Sequence, residues 1–344
     1  MFYRLSIVLA LALCLANVQL RAQDVHLTQF YEAPLWRNPA LSGIFTGDVR
    51  VQAVFRDQWA SVAAPFKTYS LNGEYKMPVG EQSDYLTIGG MILHDRAGSI
   101  SFSTTHIMPS VTYHKALSEN GNQYLSVGFM GGLVQRRIDR SKMTTNSQFD
   151  GTAYNPALAD GETFLKPNYT YLDGSVGVSY SRSLGQDDQH SFYVGLGYHH
   201  FNRPKNSFYK DPAIEMSARY VASAGVKLAM NERSYFTFHG DYSRQGAHSE
   251  VIGGALLSYR FGSEDYDNNP YTFHIGSMWR LNDAIAPVVR FDYNSMSFGL
   301  AYDVNISALK AVSNGRGAYE LSLTYNGFLD RDNSTKNAVR CPKF

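Results

Sequence analysis

The chain has 344 residues and a formal net charge of +1, from 31 Lys and Arg against 30 Asp and Glu. That balance offers no electrostatic footprint for nucleic acid or for a strongly acidic partner. Mean hydropathy is −0.28, too polar for a helical membrane protein, and no run approaches the roughly 20 apolar residues that a spanning helix needs.

Residues 1–22 read as a signal peptide. Arg4 supplies the positive start, Leu5 to Val18 the apolar stretch and Ala22 the small residue before a cut. Cys14 lies inside this leader, so the mature chain keeps one cysteine, Cys341, and cannot form an internal disulfide. Residues 23–47 carry Pro34 and Pro39 without clean alternation. They are expected to form an irregular lead-in, in the lumen or the periplasm, with a turn at Asn38-Pro39.

From residue 48 onward the pattern changes to short stretches of period two. Strands are predicted near 48–59, 66–77, 83–95, 105–117, 122–136, 170–182, 190–203, 218–230, 233–243, 246–260, 270–280, 285–293, 295–305 and 317–326. The last two are the clearest. Met296, Phe298, Leu300, Tyr302 and Val304 share one face, opposite Ser297, Gly299, Ala301 and Asp303. Tyr319, Leu321, Leu323 and Tyr325 likewise oppose Glu320, Ser322, Thr324 and Asn326. One greasy aromatic face and one small polar face fit a closed sheet in lipid, which leaves no unpaired backbone edge. The fold class is therefore an all-β outer-membrane barrel of about 14 antiparallel strands over 48–326, followed by a tail at 327–344.

Connections set the expected sidedness. Even-to-odd connections are mostly short, as at Asn231-Glu232 and Asn294, whereas Arg137–Tyr169 and Pro204–Ser217 are long odd-to-even ones. Short turns face the periplasm and long loops the outside, so an even strand count puts both termini in the periplasm. Cys341 is then a periplasmic thiol, either packed at the barrel base or offered to a partner.

Arg50, Gln52, Arg56 and Gln58 share a face, as do Thr68, Ser70, Asn72, Glu74 and Lys76. Pointed inward, they give a lumen of both charge signs, which closes more readily than it selects. Trp59, Tyr69, Tyr75, Tyr302 and Tyr319 fall near strand ends, where aromatic girdles sit. Chemistry finds little support. His199 and His200 are adjacent and on a strand face opposite ways. No zinc-binding His-Glu helix, P-loop, nucleotide-binding glycine motif or nucleophile elbow occurs. The cluster of His94, Asp95 and Ser99 is the local arrangement to check for a triad. No catalytic, cofactor or metal residue is assigned.

Several phrases recur in an order that resembles one family. They are Gln29-Phe30-Tyr31 with Asn38-Pro39-Ala40 and Gly43, then Phe55-Arg56-Asp57-Gln58-Trp59, Asp95-Arg96-Ala97-Gly98, Trp279-Arg280 with Asp283-Ala284, Tyr302-Asp303-Val304-Asn305 and the closing Cys341-Pro342-Lys343-Phe344. The sequence is similar in these to the PorP/SprF family, outer-membrane components associated with the type IX secretion system of Bacteroidetes. Ala33, where an Asn-Pro is often seen, and Phe55, where a Tyr is usual, depart from the pattern. The resemblance implies a non-enzymatic barrel, without cofactor, in outer-membrane lipid. Its implied partners are periplasmic and outer-membrane secretion components and a secreted cargo or surface adhesin, in general secretion or in gliding. Arg56, Trp59 and Asp283 are then either contacts for such partners or, more plainly, lumen ion-pair residues and a membrane anchor. A diffusion channel or small-molecule transporter is the alternative, and a barrel hydrolase a third.

Overall fold

Fourteen antiparallel strands close on themselves, each paired with its sequence neighbour and β1 with β14. The computed structural model describes residues 24–60, 64–80, 83–119, 121–163, 166–185, 189–261, 271–308 and 310–329. The strands are β1 Val49–Gln58, β2 Phe66–Pro78, β3 Tyr85–Ala97, β4 Phe102–Ala116, β5 Gln123–Arg137, β6 Asn168–Leu184, β7 His190–His199, β8 Arg219–Ala229, β9 Ser234–Gln245, β10 His248–Phe261, β11 Tyr271–Arg280, β12 Ala284–Tyr293, β13 Met296–Asn305 and β14 Arg316–Gly327. Each of the fourteen predicted stretches is one of these strands. The expected leader at 1–22 and Cys341 lie outside the described residues.

The period-two pattern sorts the side chains as lipid and lumen demand. Leu300, Leu323, Phe298 and Leu321 are exposed on the outer wall, while Asp303, Glu320 and Thr324 on the same two strands are buried inside. Among the described residues no helix is long and apolar enough to cross a membrane. Aromatic side chains band the outer wall at both ends. Tyr69, Tyr302 and Tyr319 lie near the loop end, and Tyr259, Tyr271, Tyr293 and Tyr325 near the end with short turns.

The strand expected over 190–203 stops at His199. His200 has a left-handed φ of 56°, which breaks the alternation, so His199 and His200 are both buried on the inside rather than on opposite faces.

The lead-in is the second architectural unit. From residue 24 it enters the lumen, forms short helical turns at Phe30–Glu32, Pro34–Arg37 and Pro39–Leu41, and joins β1. The prolines at 34 and 39 each begin a turn, where a missing N–H costs nothing, and the Asn38 side chain accepts from the Ala40 N–H at 2.8 Å to cap the last one. Strand parity places both termini at the turn end. Asp24 instead stands at the loop end, beside Arg219 and Gln245, because parity counts only the strands of the wall and the lead-in runs back through the barrel.

Candidate functional site, the occupied lumen

The lumen is filled by this arm, held by apolar contacts on two sides. Leu27, Ala33, Leu35 and Trp36 pack with Val54, Met91, Leu93, Met108, Met130 and Val134 of β1 and β3–β5. Phe30 packs with Ile252, Leu256, Met278, Val288 and Ala301 of β10–β13. These wall residues interrupt an otherwise polar lumenal face, and they sit where the arm needs an apolar partner.

Glycines admit the arm's backbone. A Cβ on Gly177 would lie 1.8 Å from Asn38 Oδ1, and one on Gly128 2.5 Å from the Pro39 carbonyl carbon. The walls of β5–β7 are thereby stripped of side chains where Arg37 to Ala40 press against them. Polar groups at the margins then fix the register. Ser179 donates to the Ala40 carbonyl at 2.7 Å and Thr112 to that of Pro39 at 2.9 Å.

The densest network lies where β1 meets β14. Glu320 accepts the Thr28 and Gln29 backbone N–H groups at 2.8 and 2.6 Å. Arg56 donates to Glu320 at 3.2 Å, to Asp303 at 2.7 Å and to Thr28 Oγ1 at 2.9 Å. Arg280 also reaches Asp303 at 2.5 Å and pairs with Asp283 at 2.9 Å. Deeper in, Glu32 takes hydrogen bonds from Gln52 at 2.8 Å, Thr324 at 2.7 Å and Arg290. On the opposite wall Arg37 forks onto Asp241 at 2.6 and 2.5 Å and reaches Tyr193 at 3.0 Å. Each charge of these networks thus has an opposite charge in contact, the condition for holding ions away from water.

Arg56 is therefore 1% exposed at the centre of the network, and Asp283 stands at its rim, joined through Arg280 and Asp303. Trp59 sits at the loop end of β1, half-buried against Phe66 with ring centroids 5.0 Å apart. Sequence reasoning singled out none of Thr28, Glu32, Arg37, Asp241, Asp303 or Glu320 as candidates. Parity alone could have nominated Glu320 and Asp303, as acids on faces otherwise small. His94 Nδ1 bonds Thr105 on the outer face of β3, and Asp95 accepts from Thr68 on the inner face, so the local cluster does not converge. Among the described residues no group of three or more His, Cys, Asp or Glu could hold a metal.

At the loop mouth His200 lies between Asp173 at 2.7 Å and Asp24 at 2.8 Å. Burial disfavours its imidazolium, but the two carboxylates outweigh burial and lift its pKa to about 9. The cation pins the start of the arm.

Comparison with known proteins adds a fold relation and a family. A Pseudomonas aeruginosa FadL homologue superposes with a TM-score of 0.50 at 9% identity, over 86% of this chain and 94% of that one. The CymD monoaromatic hydrocarbon channel gives 0.49 at 11% identity, over 87% and 94%. At such identities the first likeness shows the barrel fold alone. No curated protein matches the sequence. Residues 19–325 match the type IX secretion system membrane protein PorP/SprF, and this closed barrel of fourteen strands belongs to that family.

Proposed function

We propose that this protein is a non-enzymatic outer-membrane subunit of the type IX secretion machinery, exported with a cleaved signal peptide. It supports secretion or surface attachment of cargo through protein–protein contacts at its two mouths. Family membership carries the reading. The occupied lumen supports a scaffold rather than a conduit, since a cargo path or a selective pore needs open space along the axis. Arg56 and Asp283 on this reading hold the interior in place, Trp59 anchors the wall in the interface, and surface loops and the tail after Leu329 meet partners, with Cys341 in that tail. The outward partner is a secreted or surface-attached protein such as an adhesin, and the inward partners are periplasmic secretion components.

Deleting the gene is expected to deplete one or more type IX cargo proteins from the cell surface or medium while other outer-membrane barrels assemble normally. An unchanged surface and secreted proteome would remove the secretion role. A diffusion channel is the second reading, raised by any barrel of this size. Planar-bilayer recording separates the two, with stepwise conductance from the intact protein favouring the channel.

A further inference from the structure

The arm contacts the wall from one mouth to the other, and the direction of travel is fixed by named contacts. At the mouth with the long loops, the Asp24 N–H donates to Gln245 Oε1 at 3.1 Å, and the Asp24 carboxylate meets His200 at 2.8 Å and Arg219 at 3.6 Å. Gln245 ends β9 and Arg219 begins β8, both at connections of the loop end. At the opposite mouth the Gly43 N–H donates to Glu74 at 2.8 Å, Lys76 donates to the Phe45 carbonyl at 2.6 Å and the Asp48 N–H donates to the Gly327 carbonyl at 2.8 Å. Between them Thr28 to Glu32 bond both strands of the closing seam, β1 through Arg56 and Gln52 and β14 through Glu320, Ser322 and Thr324.

We infer that the mature chain begins at the outer mouth of the barrel, so that its amino-terminal end is presented at the cell surface while β1 starts in the periplasm. An exported chain has its amino-terminal end in the periplasm before the wall forms. Passing it afterwards through a closed lumen would force bulky side chains such as Phe30, Trp36 and Arg37 past the wall side chains that enclose them. Laying the arm down first and closing β1 onto β14 around it avoids that passage. The seam contacts of Thr28, Gln29 and Glu32 are what such an order leaves behind. The result is a surface-addressable site that the strand count alone assigns to the wrong side. It rests on the barrel, its orientation and the proposed cleavage of the leader, independently of the secretion role.

The test inserts a short epitope between Gln23 and Asp24 of the full-length chain. The same epitope at Gly151 in the 138–167 loop and at Glu232 in the β8–β9 turn provides references. On intact cells the first two are expected to bind antibody to similar extents, and the third only after the outer membrane is permeabilised. Detection of the Gln23 insertion only after permeabilisation, with the Gly151 insertion visible throughout, would overturn the inference. So would surface detection of Glu232 with Gly151 hidden, which inverts the whole barrel. Without a tag, Gln23→Cys combined with Cys341→Ser is expected to take a membrane-impermeant maleimide on intact cells. A folded, heat-modifiable barrel in which that thiol is labelled only after permeabilisation would overturn the inference.

Discussion

Arg56 illustrates what a single residue contributes. Its guanidinium is enclosed and shared between Asp303 and Glu320, while Glu320 also receives two backbone N–H groups of the arm. Removing it by Arg56→Ala leaves two carboxylates in an interior that water reaches poorly. Breaking a buried pair from one side is expected to cost about 3–5 kcal/mol. The measurement is the temperature at which the compact gel form converts to the unfolded one, and conversion at the native temperature would show that the pair is not enclosed. His200 makes a second, pH-dependent prediction. Its folded pKa of about 9 exceeds the ordinary value of roughly 6.5, so its contribution is fully present below about pH 6.5 and is lost as pH rises through about 9. Conversion temperature should therefore fall across that window, and His200→Gln should flatten the fall. The inward position of Arg56 was legible, since it shares a face with Arg50 and Gln52. Its partners were not, because Asp303 and Glu320 are 247 and 264 residues away in sequence and meet it only through closure.

At the scale of elements, the wall was readable strand by strand because lipid on one side and a small polar lumen on the other impose one periodicity on every crossing. That account predicts two different failures on the same strands. Leu300→Arg and Leu323→Arg place a charge in hydrocarbon, at about 2–4 kcal/mol near the midplane, and should lower the yield of assembled barrel. Ser322→Arg faces inward but meets Gln29, to which Ser322 donates at 2.9 Å, so it should leave the wall assembled while loosening the arm. Equal loss of assembled barrel in all three variants would refute the face assignment. The arm was less legible. Its turns at Pro34 and Pro39 show in the sequence, but its place depends on glycines of other strands, and the gaps at Gly128 and Gly177 acquire meaning only once Asn38-Pro39 is seen filling them. Gly128→Ala should cost about 1–3 kcal/mol by overpacking, read as the same conversion temperature, because the contact it would create is with backbone that cannot rotate away.

For the whole molecule, the question is what closes the lumen. A wall of fourteen strands with small lumenal side chains such as Ser297, Ala301, Ser179 and Gly177 encloses more space than those side chains fill, since eight strands already suffice for an interior packed by side chains alone. The balance of the interior comes from the arm, which brings Phe30, Leu35, Trp36, Arg37 and Phe45 inside. The intact protein should therefore be electrically quiet in a planar bilayer, and a chain lacking residues 24–45 should show stepwise conductance if its wall still closes. The wall has its own means of closing, because β1 and β14 pair along their full register from Val49 with Gly327 to Gln58 with Ala318. Arg56 and Glu320 also remain to bridge the seam without Thr28. Heat modifiability of the truncated protein establishes that closure before any recording is made. A closed, truncated barrel that stays silent would mean that wall side chains collapse into the space, and the arm would then be a passenger in the lumen rather than its seal.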